Sequence, residues 1–107
     1  MKQLESIQTV VRELSRRELS AAEASLIFRR SSSRFRHRFT AVVGVNFRTA
    51  RMRAKLDRGA HLLIGTRLSI AEISARLGYS DRSKFEKAFK RVRGMTPTEF
   101  RRRHGDR

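Results

Sequence analysis

Apolar residues recur along this chain at helical spacing and nowhere alternate in the way a half-buried strand requires. Leu4, Ile7, Val11 and Leu14 predict an amphipathic first helix of about 14 residues that caps the core. The next helix opens at Ser20, where Ser20-Ala21-Ala22-Glu23 has the form of a capping box, hydroxyl and carboxylate each satisfying an otherwise orphaned backbone N–H. Ser69-Ile70-Ala71-Glu72 and Thr96-Pro97-Thr98-Glu99 repeat the device, and Pro97 falls on the first helical position, where a missing N–H costs nothing. Helix starts are therefore expected near positions 20, 69 and 96. Gly44 and Gly94 suit the left-handed conformation just past a helix end. Between them a connecting helix is predicted from Asn46 to about Ile64, with Met52, Leu56, Ala60 and Leu63 on one face and Arg48, Arg51, Lys55 and Arg58 largely off it.

The same pattern is written twice. Phe35, Phe39, Val42 and Gly44 return as Phe85, Phe89, Val92 and Gly94 at an offset of 50, whereas Leu19, Ser20, Ala22, Glu23 and Ser25 return as Leu68, Ser69, Ala71, Glu72 and Ser74 at an offset of 49. The extra residue must fall between Ser74 and Phe85, where Gly78-Tyr79-Ser80-Asp81 reads as a tight turn between helices. Each copy is then a helix-turn-helix. Two copies are too few for a solenoid but suit a protein that grips a periodic ligand at two points, and duplex DNA is such a ligand.

The copies are unequal. Ile70, Ile73 and Leu77 of the second stand where the first has Ala21, Ala24 and Phe28, so the first is expected to bury less apolar area and to be the looser half, with lower hydrogen-exchange protection across 20–39 than across 69–89. Arg29 stands where the second copy has Gly78. If that turn needs positive φ, the arginine adds strain of about 1 kcal/mol or more.

At 107 residues the chain is one small domain, long enough for a core. Its 26 Lys and Arg against 10 Asp and Glu give a formal charge of +16, which implies an anionic partner or surface without choosing between nucleic acid and membrane. The absence of an apolar run of about 18 residues or of a secretory start argues against a membrane and for the cytoplasm. With no cysteine, and with His37, His61 and His104 scattered, neither thiolate chemistry nor a metal site is expected, and no cofactor is. Paired carboxylates, a nucleophile elbow and a phosphate-cradling glycine loop are missing at productive spacing, so an enzyme is the weakest hypothesis.

In the second copy Phe85, Ala88, Phe89 and Val92 form one stripe that must face the core. The opposite face carries Ser83, Lys87 and Lys90, flanked by Lys84, Glu86 and Arg91, with Arg82 at the helix N-terminus. The first copy offers Ser33, Arg34, Arg36 and His37 in the corresponding place. Arg and Lys donate to guanine O6 and N7, and Ser donates or accepts, so these types suit major-groove readout. A basic face taken singly is usually just solvated; its recurrence is what points to nucleic acid. Glu86 is better read as a partner of Lys90 or Arg82 than as an acceptor from cytosine, and His37 as facing solvent or phosphate rather than a base. Arg101-Arg102-Arg103-His104 reads most simply as a flexible basic tail. Helical spacing makes the Phe pairs core, not stacking platforms, which weakens a single-strand-binding reading.

The segment Leu68 to Phe100, LSIAEISARLGYSDRSKFEKAFKRVRGMTPTEF, resembles the signature of the AraC/XylS family of bacterial transcription regulators, and residues 19–63 resemble that family's first helix-turn-helix and connecting helix. The resemblance implies an all-α fold of two helix-turn-helix subdomains, 1–45 and 65–107, joined by the long helix 46–64, with both recognition helices presented to one side of the duplex. It places base-reading slots on Ser33, Arg36, His37, Arg82, Ser83, Lys84 and Lys87. Ser20, Arg34, Arg48, Ser69, Lys90 and Arg91 are expected on phosphates. Double-stranded DNA and RNA polymerase are the implied partners, with binding at the nucleoid as a monomer unless a missing domain dimerises the chain. The chain departs from the pattern at Arg29 and Arg30, where the family usually has Gly and an aromatic, and at Phe47 and Ala50, where it often has Pro and an aromatic. Most family members carry a further ligand-binding or dimerisation domain, so the chain resembles a short stand-alone regulator or an excised C-terminal half. The rival from another class is a protein that coats or compacts nucleic acid without sequence preference.

Overall fold

The capping residues set the register of the fold. In a computed structural model that describes residues 2–105, the helices are α1 (Lys2–Leu14), α2 (Ala21–Phe28), α3 (Ser32–Val43), α4 (Phe47–Gly65), α5 (Ile70–Arg76), α6 (Arg82–Arg93) and α7 (Pro97–His104), with no strand among the described residues. All three expected capping boxes form. Ser20, Ser69 and Thr96 each accept from the N–H of the glutamate three residues on, whose carboxylate takes the cap's own N–H at 2.8 Å. Gly44 and Gly94 lie in the left-handed region, at φ 95 and 80, each closing a helix. Asn46, expected as the first residue of the connecting helix, instead stands just before it and accepts the Thr49 N–H at 2.8 Å through Oδ1. None of the described helices is long and apolar enough to cross a membrane.

The chain divides into two compact units, Met1–Lys55 and Leu56–Arg107, and the division falls inside α4. The sequence repeat explains why. Buried Ile7 and Leu14 of α1 return at an offset of 49 as buried Leu56 and Leu63 in the second half of α4, while Asn46 and Phe47 at the start of α4 return at 50 as Thr96 and Pro97 at the start of α7. Each unit is therefore a four-helix copy, and α4 ends one and begins the other. This extends the helix-turn-helix repeat legible in the sequence by one helix on either side.

The first unit's core gathers Ile7, Val10, Leu14, Leu19, Ala24, Phe28, Phe35, Phe39 and Phe47. The register of α1 differs from expectation by one position: Val10 is fully buried, whereas Val11 and Leu4 remain 43% and 40% exposed, because the buried set steps by three and four from Ile7 to Val10 to Leu14. Phe28, Phe35, Phe39 and Phe47 form a ring cluster with centroids 5.1–5.8 Å apart, each such pair adding about 0.5–1.5 kcal/mol beyond its buried area. Phe47, standing where the second unit has Pro97, adds a buried ring to this core.

The second unit stacks Tyr79, Phe85, Phe89 and Phe100 in sequence, centroids 5.3–5.6 Å apart. Its tightest point is Gly59 of α4. A Cβ there would stand 2.9 Å from Leu77 Cδ1 and 3.2 Å from Phe85 Cε1, so any larger residue would force one of these buried side chains to shift. The first unit resolves the same place the other way, with Val10 on the first helix and Ala24 where Ile73 stands.

Two expectations need correction here. Val92, placed on the inward stripe of α6, is 42% exposed, because the ring stack stops at Phe89 and Phe100 and leaves the last turn uncovered. Arg101–His104 is not a flexible tail but the last turn of α7. Arg101 donates from Nε to Leu63 O at 2.9 Å and from Nη2 to Thr66 O at 3.2 Å, capping the C-terminal carbonyls of α4, and the His104 ring lies 4.6 Å from that of Phe100.

Candidate nucleic-acid interface

Each unit turns one short helix outward in the same way. In α6, Phe85 and Phe89 are fully buried and Asp81 caps the N-terminus, its carboxylate accepting the Lys84 N–H at 2.9 Å. In α3, Phe35 and Phe39 are fully buried and Ser31 is the cap, accepting the Arg34 N–H at 3.2 Å. A buried serine ties each turn to the preceding helix. Ser74 Oγ donates to Asp81 O at 3.0 Å in the second unit, and Ser25 Oγ donates to Ala21 O at 2.8 Å and lies 3.3 Å from Ser32 Oγ in the first. With both ends fixed, the rotation of each helix about its axis is set by its Phe pair.

That rotation leaves every residue expected to read bases on the surface: Ser33, Arg36 and His37 on α3, and Arg82, Ser83, Lys84 and Lys87 on α6. Of the phosphate candidates, Arg34, Arg48, Ser69, Lys90 and Arg91 are exposed and Ser20 is half-buried. Glu86 pairs with Arg82 at 3.7 Å, as its i, i+4 spacing suggested; at such exposure the pair is worth about 0–1 kcal/mol and gives way readily to a stronger anion. Arg93 is withdrawn from this face, since its guanidinium reaches Asp57 Oδ1 at 2.6 Å and lies 5.9 and 5.6 Å from the centres of the Phe89 and Phe100 rings.

The capping boxes bear on Ser20 and Ser69. Both hydroxyls and both backbone N–H groups are already engaged by Glu23 and Glu72, whose carboxyls are held below their ordinary pKa chiefly by the hydrogen bond from the cap backbone and then by the one from the cap hydroxyl. A phosphate arriving there meets the first-turn N–H groups of Ala21 and Ala22, or of Ile70 and Ala71, beside a fixed negative charge.

Two features escaped the sequence reading. Ser31 and Asp81 lack a glutamate three residues on, so no capping box advertised them. Arg30 and Arg38 join Phe28, Ser33, Arg34 and His37 around a surface depression on the first unit, with no carboxylate among its lining residues. Arg29 sits at φ 64 and ψ 40, left-handed as its equivalence to Gly78 predicted, and it is the one non-glycine residue with positive φ among the described residues. The extra residue of the second copy lies in the turn as expected. One residue, Arg30, separates Arg29 from the Ser31 cap, whereas two, Tyr79 and Ser80, separate Gly78 from Asp81.

A family model described as a helix-turn-helix domain, of the AraC type, matches residues 24–103. The chain belongs to the AraC/XylS family. The xylose operon regulatory protein of Escherichia coli is 38% identical over 71 residues, which cover 66% of this chain and 18% of that protein. Among solved structures, the transcriptional regulator CdpR of Pseudomonas aeruginosa is 32% identical with a TM-score of 0.76 over 91% of this chain and 31% of the other. The DNA-binding domain of AdpA, solved in complex with a target DNA, shares the fold at 19% identity, with a TM-score of 0.76 over 94% of this chain and 91% of that one. The chain thus spans well under half the length of the full-length regulators it matches. In AraC/XylS terms α3 and α6 are the two recognition helices, and α4 is the connecting helix.

Proposed function

We propose that this chain is the sequence-specific double-stranded-DNA-binding part of a transcription regulator, inserting α3 and α6 into successive major-groove segments about 34 Å, one helical turn, apart. The observation that carries the reading is the repeated outward face: two helices, each fixed by a cap and a buried Phe pair, that expose Ser33, Arg36 and His37 or Arg82, Ser83, Lys84 and Lys87. Arginine, lysine and serine at these places donate to base edges, Lys87 from the middle of α6 and Arg82 from its first turn. Lys90, Arg91, Arg34 and Arg48 hold phosphates and fix register without reading sequence, and Ser20 and Ser69 contribute through the helix starts they cap. Covering one asymmetric site with two unlike heads, the chain binds as a monomer. Relatives named operon regulatory proteins support a role in transcription, and with that role go a place at the nucleoid in the cytoplasm and RNA polymerase as a partner. No cofactor or catalytic step enters this account.

Competition against random duplex at physiological salt is the test. The proposal expects a preference of about 10³ or more for the selected site. A ratio near one would favour a coating protein. With about 6–10 phosphates neutralised, affinity should fall about 10³–10⁵ between 50 and 200 mM salt.

A further inference from the structure

One place in the fold differs chemically between the units in a way that duplex binding does not use. In the first unit Glu18, just ahead of the α2 cap, accepts from Arg51 Nη2 at 3.1 Å and from Lys55 Nζ at 3.2 Å. Partial burial pushes the Glu18 carboxyl up, but the hydrogen bonds and charges of Arg51 and Lys55 outweigh it and hold the group below its ordinary range. The first unit thus carries its own counter-anion at this corner.

The repeat puts Arg67 where Glu18 stands, Arg101 where Arg51 stands, Arg102 for Met52 and Gly105 for Lys55. The acid has become a base, and the long Lys55 side chain has become a glycine at the end of α7. A shallow surface pocket opens there, lined by Thr66, Arg67, Arg101, Arg102 and Gly105, with no carboxylate among these residues. Its base is preorganised. Arg101 is planted by Leu63 O and Thr66 O, while its Nη1 makes no hydrogen bond among the described residues. The Thr66 hydroxyl is also spoken for, donating to Leu62 O and accepting from Leu68 N. What remains to face a ligand is guanidinium.

We propose that this pocket of the second unit binds a carboxylate supplied from outside, which takes the role that Glu18 plays internally in the first unit. A planar carboxylate matches the guanidinium fork in two parallel hydrogen bonds, and an anion held among Arg67, Arg101 and Arg102 adds to the partial relief that the Glu99 carboxylate gives Arg102. The carboxylate comes from a small acid or from an acidic side chain of a protein partner; the two sources share this chemistry and are separated by experiment.

The full chain, carrying ¹⁵N-labelled arginine, is titrated with succinate, with an acetylated tetraglutamate peptide and with inorganic phosphate at constant ionic strength, and the arginine Nε–Hε resonances are followed. Succinate or the peptide should give saturable shifts at Arg67, Arg101 and Arg102 with dissociation constants of about 1 mM or tighter. Arg53 and Arg103 should stay near their starting positions. Tighter binding of succinate identifies a small acid as the source, and tighter binding of the peptide a protein. Arg67→Glu, which rebuilds the first unit's internal pair, should abolish the response, and Arg67→Ala should weaken it severalfold without closing the pocket. Shifts that are uniform over all arginines, or saturation by phosphate alone, would overturn the proposal. So would a response that appears only after Asp106→Asn, since the site would then belong to a carboxylate of the chain itself.

Discussion

Arg29→Gly should make this protein more stable, although it removes a side chain and adds backbone freedom. Arg29 holds φ 64 and ψ 40, a conformation that costs an L-residue about 1–2 kcal/mol because Cβ crowds the following carbonyl. Glycine removes that cost but enlarges the freedom of the unfolded chain by about 0.4–1 kcal/mol. The Arg29 side chain is exposed and its N–H still donates to Ser25 O at 2.7 Å after the change, so nothing else is lost. The net gain is about 0.5–1 kcal/mol, or a melting point raised by about 2–8 °C. The second unit provides the mirror experiment. Gly78 holds φ 91 with no atom within 4 Å of an added Cβ, so Gly78→Ala exposes the backbone term alone and should lower stability by about the same amount. Calorimetry gives the global effect, and hydrogen exchange at the amides of 25–35 shows whether the gain is local to the α2–α3 turn. The difference in protection expected between the copies should shrink in Arg29→Gly. If that variant melts lower than the parent, the strain argument is refuted.

Other outcomes follow from the same contacts. Gly59→Ala should destabilise by about 1–2 kcal/mol, since overpacking against buried Leu77 and Phe85 costs about 1–3 and helix propensity returns at most about 1; a melting point equal to or above the parent's would contradict the close approach. Glu23, Glu72 and Glu99 have folded-state pKa values below their unfolded ones, first through the cap backbone N–H and then through the cap hydroxyl, so their contribution is fully present above the ordinary glutamate range and is lost as pH falls through the lower folded values. Thermal midpoints should therefore decline between about pH 5 and pH 3, and less steeply in the triple Glu→Gln variant, which keeps a capping side chain that does not titrate; equal slopes would defeat the assignment. Lys87→Ala should cost about 1–3 kcal/mol on the preferred duplex and relax base preference there, whereas Arg48→Ala should weaken all duplexes alike and reduce the salt slope by about 1. Unaltered selectivity in the Lys87 variant would remove that residue from the reading set.

Where the sequence was legible, local chemistry and repetition agreed. Ser20, Ser69 and Thr96 each carry a glutamate three residues on, so the helix starts were written in short-range hydrogen bonding, and the Phe pairs at i, i+4 determined which side of α3 and α6 faces inward. The outward residues of both recognition helices followed from that inference. Illegible features depended on contacts distant in sequence. Nothing local to Arg101 says that its guanidinium will cap the end of α4, so a run of arginines read as a tail. Phe47 enters the first core only because α3 brings Phe35 and Phe39 to it. Gly59 looks like a weak point in a helix until Phe85 and Leu77 are placed against it. The double membership of α4 is hidden because its two halves match different ends of the repeat, α7 and α1, at offsets that differ by one.

Selection of bound duplexes from a random pool, followed by sequencing, tests the proposed function most directly. Two unlike reading heads on one chain predict an asymmetric motif with two informative blocks whose centres lie about 10–10.5 base pairs apart, the block read by α6 losing definition when Lys87 is replaced by alanine. A pool that stays random after repeated rounds, while total binding remains strong at low salt, would contradict sequence-specific recognition and leave only the attraction of a +16 chain for phosphate.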